Sequence, residues 1–346
     1  MKTRTHLMEL PRKVLIGEGV LGKLGDFIEE AGVNGRLVFA SGTKVQGRVR
    51  DRVASSVKNQ VSWVDVEAAD MSNVRHVMTV ARGASCIVGL GGGKSIDVGK
   101  LAAHRLGLPF FSVPTSASSD GISSPFASVQ GTRRHYSFMA RPPIGILADV
   151  EVIAKAPKRL LAAGCGELIA KLTAVRDWKL AHQTTGEYYG GYAANLALMS
   201  AKVVLDSSKR IGSYDRDAVR DIVEALISAG VAGGIAGSSR PCSGAEHLFS
   251  HYLDAVAPGV GLHGEKCGLA TIMVAKLHRL EWEKVRGALR DVHAPIKASV
   301  LGLSDEQVVE ALVNAPTVRP DRFTILSRAK LNRDSARELA RNTGVI

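Results

Sequence analysis

The 346-residue chain has no long hydrophobic run: its most weakly polar stretch, Ala225 to Ser239, is 15 residues long with four glycines inside it. That is short of the ~20 apolar residues that a membrane-spanning helix needs, so no membrane span is expected. Cysteine is scarce, and the four present (Cys86, Cys165, Cys242 and Cys267) show no C-x-x-C spacing. This argues against a disulfide framework and against a cysteine-based zinc site, and fits reduced thiols. Aromatic residues make up only 5% of the chain, the basic residues are dispersed, and no nucleic-acid motif occurs, so nucleic acid is not an expected partner. The first six residues, Met1 to His6, lack the apolar stretch of a secretory signal, which makes the cytoplasm the expected location. There is no internal repeat or low-complexity segment.

An apolar content of 45% excludes disorder, and the length favours two domains. Lys plus Arg exceed Asp plus Glu by 45 − 33 = +12. A balance this basic concentrates anionic ligands around the protein, and a phosphorylated small molecule is the expected partner. Over the first ~150 residues short β-branched runs alternate with helical segments, the pattern of a parallel sheet flanked by helices. Strands are expected at Lys13 to Ile16, Arg36 to Ala40, Val61 to Val66, Cys86 to Leu90, Phe110 to Pro114 and Ile144 to Asp149, with helices at Leu21 to Ala31 and Val98 to Leu106. After about Val150 the strand signals stop and Ala/Leu-rich helical spacing takes over. Ser304-Asp-Glu-Gln307 reads as a capping box. The expected architecture is therefore α/β, with an α/β nucleotide-binding domain over residues 1–155 and a helical domain over residues 156–346.

The sharpest feature of the first half is Gly-Leu-Gly-Gly-Gly-Lys-Ser-Ile-Asp from Gly89 to Asp97, which follows one expected strand and leads into a helix. Glycines let backbone amides approach a pyrophosphate, and a helix N-terminus offers unpaired N–H groups to its charge. The run also fits a tight glycine turn without a ligand. The next strand ends in a hydroxyl-rich loop from Pro114 to Ser124, and such loops at the carboxyl edge of an α/β sheet point to a ligand in that crevice. The second strand ends Ala40-Ser-Gly-Thr-Lys44 without the acidic residue that selects NAD, so Lys44 or Arg48 is available to a 2′-phosphate.

In the second half, His247 and His251 lie four residues apart in a stretch free of Gly and Pro between Ala245 and Val256, which places both imidazoles on one helix face. Pro258, Gly259 and Gly261 break that helix, and His263 opens the next, so a third imidazole returns to the same place. Three converging imidazoles suggest a metal, although a helical His pair also fits a satisfied core or half-exposed face. An open zinc site commonly takes two His and one carboxylate. The carboxylate candidate is Glu167, in what reads as a Gly-flanked helix start, Gly164-Cys-Gly-Glu167.

Taken together, Gly-Gly-Gly-Lys-Ser-Ile-Asp at 91–97, Pro-Thr-Ser-Ala-Ser-Ser-Asp-Gly-Ile-Ser-Ser at 114–124, Gly-Cys-Gly-Glu at 164–167, Ser-Gly-Ala-Glu-His-Leu-Phe-Ser-His at 243–251 and His-Gly-Glu-Lys at 263–266 resemble, in order and spacing over nearly the whole chain, the sn-glycerol-1-phosphate dehydrogenases. That family lies within the superfamily of iron-type alcohol dehydrogenases, glycerol dehydrogenase and dehydroquinate synthase. The resemblance implies a Rossmann-like dinucleotide-binding N-terminal domain, an all-helical, dehydroquinate synthase-like C-terminal domain, and one Zn2+ per chain in the cleft between them. It implies an NAD or NADP site at Gly93, Lys94, Ser95, Ile96, Asp97, Thr115, Ser116, Ala117, Ser118 and Ser124. Glu167, His247 and His263 would be the metal ligands. Asp120, Glu167 and His251 would be catalytic and substrate-contacting, with His251 handling a proton rather than binding the metal. The family usually has Asp where this chain has Glu167, one methylene longer.

The implied reaction is reversible NAD(P)-dependent reduction of dihydroxyacetone phosphate to sn-glycerol 1-phosphate, supplying the glycerophosphate backbone of archaeal-type membrane lipids. Glycerol dehydrogenase and dehydroquinate synthase are the alternatives. Arg133, Arg134, Lys266, Arg319 and Arg322 are candidates for the phosphate, and a homo-oligomer is the expected assembly.

Overall fold

Strands rich in Val, Ile, Leu and Phe with almost no alternation need a core on both faces, and the computed structural model, which describes residues 7–130 and 135–346, supplies it. The chain forms two compact units, Met1–Ala156 and Pro157–Ile346.

The first unit carries β1 (Lys13–Gly17), β2 (Leu37–Ser41), β3 (Val61–Asp65), β4 (Cys86–Gly91), β5 (Phe110–Pro114), β6 (Phe126–Gln130), β7 (His135–Met139) and β8 (Gly145–Asp149). Six of them make one sheet in the order β1-β8-β5-β4-β2-β3, all pairings parallel. β2, β4, β5 and β8 are buried along their whole length, as their uninterrupted apolar sequences require. One core layer brings Leu24, Phe27, Ile28 and Val53 from flanking helices onto Leu37, Phe39, Val88, Phe111 and Leu147.

Three local differences from the sequence reading have physical causes. The helix expected from Val98 begins at Gly93 and runs to Leu106. The glycines serve as its first turn, so Gly93, Lys94, Ser95, Ile96 and Asp97 lie on the helix rather than in a loop before it. The helix expected over Leu21 to Ala31 is a 3-10 turn, Val20–Lys23, followed by Leu24–Glu29. β6 and β7 form an antiparallel ribbon separate from the main sheet, which the reading did not contain. β6 alternates partly buried, buried and exposed residues, and five residues are too short for that alternation to stand out in the sequence.

Among the described residues the second unit holds helices and no strand. Ser304 caps the helix Asp305–Val318 through its hydroxyl, with Gln307 returning the bond, as the capping-box motif requires. The helices Lys158–Ile169 and His263–Leu277 meet backbone to backbone. A Cβ added to Gly166 would lie 2.2 Å from the carbonyl oxygen of Gly264, and one added to Gly264 would lie 2.0 Å from that of Ala163. Glycine is therefore obligatory at both positions. We expect Gly166→Ala to force the helices apart, at a cost of about 1–3 kcal/mol, and to weaken divalent-metal binding by the neighbouring Glu167 and His263. Thermal unfolding with and without metal measures both effects. No helix among the described residues is long and apolar enough to cross a membrane.

Candidate active site

Glu167 lies in the last turn of Lys158–Ile169, not at a helix start. Pro157 and Lys158 open that helix, and Gly166, next to Glu167, makes the contact with the helix His263–Leu277. His247 and His251 project from Ala245–Val256, one turn apart, and His263 is the first residue of the following helix. The turn between them uses Gly259 and Gly261 at positive φ. Glu265 fastens its end: one carboxylate oxygen accepts the Leu262 N–H at 2.7 Å, and Arg159 grips the same carboxylate with Nε at 2.6 Å and Nη2 at 2.7 Å. Because Arg159 belongs to the helix of Glu167, this bidentate pair helps set the distance between Glu167 and His263.

The three imidazoles do converge. Ring centroids are 5.0 Å apart for His247 and His263, 5.4 Å for His251 and His263, and 6.4 Å for His247 and His251. His247 Nε2 stands 3.3 Å from Glu167 Oε1, and His263 Nε2 3.6 Å from Glu167 Oε2. Each inward-facing nitrogen is aimed by a bond on the far side of its ring. His247 Nδ1–H donates to Glu246 Oε1 at 2.9 Å, and His263 Nδ1 is 3.1 Å from Ser250 Oγ. Such outer partners choose the tautomer that leaves Nε2 a lone pair for a metal. Glu246 is itself held, accepting from the Gly244 N–H at 2.6 Å and from Thr173 Oγ1 at 2.8 Å.

Electrostatics agree with a cation site. Glu167 is 2% exposed and its Oε2 has no hydrogen-bond partner, which in a buried carboxylate costs about 1–3 kcal/mol or more. Its other oxygen is ion-paired to the fully buried Lys171, whose ammonium also donates to the Cys242 carbonyl at 3.2 Å. Burial alone would raise the Glu167 carboxyl, but the positive charges of Lys171 and His247 hold it well below the usual carboxylate range. Loss of water around the ring and the neighbouring His247 and His251, against the opposing pull of Glu167, hold His263 below the usual imidazole range although 38% of its side chain stays exposed, which favours the neutral ring. Burial opposes a charge on His247, but Cys267 and Glu167 beside it raise it well above the usual imidazole range, so a small divalent ion held by Oε2 of Glu167 and the two Nε2 atoms would replace the His247 Nε2 proton.

His251 lies beside this cluster, its Nδ1 3.7 Å from Asp254 Oδ2. Asp254 is also paired with Lys266; burial opposes its ionisation, but the His251 hydrogen bond and the Lys266 charge keep it far below the ordinary range. Lys266 is therefore engaged inside the protein. So is Arg322, which donates to the Ser243 carbonyl at 2.5 Å and to Ser239 Oγ at 2.7 Å. Arg133 and Arg134 lie outside the described residues. Among the described phosphate candidates, Arg319 alone is half-buried rather than buried.

In the first unit β4 and β5 end side by side, with Gly91 opposite Pro114. Gly91 has φ +151°, and a Cβ there would lie 2.7 Å from Ser95 Oγ. Beyond it Gly92 caps the helix Gly93–Leu106 without any side-chain bond, and a Cβ on Gly93 would meet nothing within 4 Å. The space beside Gly93 at the start of that helix is open, which leaves room for a phosphate near its N-terminus. The Thr115 N–H donates to the Gly91 carbonyl at 2.9 Å, and Ser116 Oγ lies beside Gly92, so the hydroxyl-rich loop borders the cradle. Ala117 is fully buried, Ser118 half-buried, and the Ser124 amide donates to the Asp120 carbonyl at 3.1 Å. Asp97 is turned inward: its Oδ2 accepts from the Ser128 N–H at 3.2 Å and its Oδ1 lies 3.6 Å from the buried Lys100. Lys100 Nζ in turn donates to the carbonyls of Gly121 (2.6 Å) and Phe126 (2.7 Å), which anchors the short turn holding Asp120. Lys44 and Arg48 are exposed on the helix Thr43–Ser56 after β2.

Sequence reasoning missed Lys171, Glu246 and Thr173, which have no motif, and Cys267. Cys267 is completely buried, with its Sγ 3.5 Å from His263 Nε2. A rule that looks for paired cysteines does not see it, whereas the His263/Cys267 spacing of four on one helix would have.

Residues 15–157 match the model of the iron-containing alcohol dehydrogenase family. Over 351 residues, 100% of this chain and 98% of the relative, the chain is 47% identical to a protein of Nitrosopumilus maritimus named glycerol-1-phosphate dehydrogenase [NAD(P)+]. A protein of the same name from Cenarchaeum symbiosum is 50% identical over 346 residues, 99% of this chain and 97% of the relative. The crystal structure of glycerol dehydrogenase from Schizosaccharomyces pombe superposes with a TM-score of 0.81 over 99% of this chain and 91% of that one, at 20% identity, a likeness of fold. The chain belongs to the glycerol-1-phosphate dehydrogenase family.

Proposed function

We propose that this protein is an NAD(P)-dependent, metal-dependent dehydrogenase that interconverts dihydroxyacetone phosphate and sn-glycerol 1-phosphate. The observation that carries the reading is the full-length match at 47% and 50% identity to proteins named for glycerol 1-phosphate, in a chain whose second unit gathers the Glu167 carboxylate and the His247 and His263 imidazoles with one donor atom of each within 4.8 Å of the others. The dinucleotide's pyrophosphate is assigned to the glycine cradle at Gly91, Gly92 and Gly93, with Lys94, Ser95, Thr115 and Ser116 around it.

In this reading Glu167, His247 and His263 hold the metal, and zinc suits their mixture of one oxygen and two nitrogen donors. Once bound, the ion supplies Lewis-acid polarisation of the substrate's ketone oxygen. The rest falls to the chain's own side chains. Glu246 and Ser250 keep the two imidazoles from rotating, so their Nε2 atoms face one point throughout turnover. A bound NAD(P)H would supply the hydride; in this reading His251 would give the ketone oxygen its proton, and Asp120 would orient the substrate's neighbouring hydroxyl. General acid–base help of this kind is typically worth ~10²–10⁴-fold in rate.

The test is NADPH oxidation, followed by absorbance, with dihydroxyacetone phosphate against dihydroxyacetone, each with and without chelator, and chiral analysis of the product. We expect turnover of the phosphorylated ketone, abolished by chelator, and the sn-1 product. Faster turnover of unphosphorylated dihydroxyacetone would mark a glycerol dehydrogenase instead.

A further inference from the structure

The cluster around Glu167 contains a fourth donor that the two-His, one-carboxylate set leaves unused. Cys267 sits four residues after His263 on the helix His263–Leu277, so its thiol lies on the same face as that imidazole. One donor atom from each of Glu167, His247, His263 and Cys267 lies within 4.8 Å of the others. The separations resemble the edges of a coordination tetrahedron. With metal bonds of about 2.0–2.1 Å to N or O and about 2.3 Å to S, those edges should be roughly 3.3 Å between N and O donors and roughly 3.5 Å between S and N. The structure has 3.5 Å from His263 Nε2 to Cys267 Sγ and 3.6 Å from His263 Nε2 to Glu167 Oε2, while His247 Nε2 lies 3.3 Å from the other carboxylate oxygen, Oε1, which Lys171 also holds. Independently, the buried Oε2 of Glu167 has no hydrogen-bond partner and faces the same group. A purely structural Cys267 would be expected against apolar side chains; this one faces two imidazoles and a carboxylate.

We propose that Cys267 is a metal ligand, completing a Glu-His-His-Cys donor set to which the substrate's ketone oxygen would add as a fifth ligand. The inference rests on the metal reading above and deepens it. On binding, the Cys267 thiol loses its proton to solvent and a sulfur–metal bond forms, with no change of oxidation state. A thiolate donor shifts the site's preference toward zinc and away from magnesium or manganese, which favour oxygen ligands. It also makes metal retention sensitive to thiol oxidation.

Cobalt(II) substituted into the whole protein reads the ligand directly. The wild type should show a near-ultraviolet thiolate-to-cobalt charge-transfer band together with the visible ligand-field bands. Cys267→Ala should lose the charge-transfer band and bind the ion at least about 10-fold more weakly, while keeping ligand-field bands from the remaining donors. A wild-type spectrum with ligand-field bands alone would overturn the cysteine assignment and leave the metal reading standing; a protein that binds no cobalt would overturn both. Persistence of the charge-transfer band in Cys267→Ala would assign it to another cysteine and refute the proposal. Should that variant fail to fold, X-ray absorption of the wild-type zinc protein decides: a sulfur scatterer at about 2.3 Å supports Cys267, and a shell of nitrogen and oxygen alone excludes it.

Discussion

We expect His263→Ala to leave the far-ultraviolet circular dichroism of the protein unchanged but to lower kcat on dihydroxyacetone phosphate by about 10³-fold, the rate equivalent of the several kcal/mol that Lewis-acid stabilisation supplies. The fold survives because this imidazole opens its helix and is 38% exposed, so its loss removes little packing. The metal site does not, because one of its inward-facing nitrogens disappears. Metal analysis after dialysis distinguishes this from a loss of proton transfer: His263→Ala should emerge depleted of zinc, whereas His251→Ala should retain it and lose only the ~10²–10⁴-fold that an acid–base group contributes. Full activity of His263→Ala in chelator would sink the assignment.

Lys171→Met destabilises the metal-free protein by about 3–5 kcal/mol, the usual cost of leaving one member of a buried ion pair without its partner. Lys171 is fully buried and Glu167 nearly so, and the ammonium is the main positive charge holding that carboxylate ionised. Divalent metal provides a second source of positive charge at the same group. Saturating zinc should therefore recover most of the loss, and recover more in Lys171→Met than it adds to the wild type. Thermal melts with and without zinc measure this. The double variant Glu167→Gln/Lys171→Met supplies the control: with both charges gone it should be more stable than Lys171→Met alone in the absence of metal, and zinc should no longer rescue it. A zinc effect equal in wild type, single and double variants would mean that the ion binds elsewhere.

Much of the fold was legible because the sequence states it locally. β4 and β5 are continuous apolar runs between glycine and proline signals, and a strand buried on both faces has no other pattern to show. The helix bearing His247 and His251 spans Ala245–Val256, the stretch without Gly or Pro. The run Gly164 to Glu167 was misread because glycine usually ends or opens a helix; here the cause of Gly166 is the backbone of Gly264, almost a hundred residues away, which no local pattern reports. The β6–β7 ribbon was missed for a related reason, since two five-residue strands carry little signal of their own. Lys266 and Arg322 were reasonable anion candidates by charge alone, but burial against Asp254 and against the Ser243 carbonyl commits them to the protein interior.

By itself the sequence determined the order of elements, the glycine cradle at the end of β4, and the spacing that puts His247, His251 and His263 within reach of one another, because each depends on residues a few positions apart. Only the tertiary structure decided which ring nitrogen faces inward, that Lys171 pairs with Glu167, that Glu246, Thr173 and Ser250 aim the imidazoles, and that the Cys267 thiol lies 3.5 Å from His263 Nε2. Those outcomes depend on which side chains share a low-dielectric pocket, where each buried charge or donor must find its partner wherever the chain brings one.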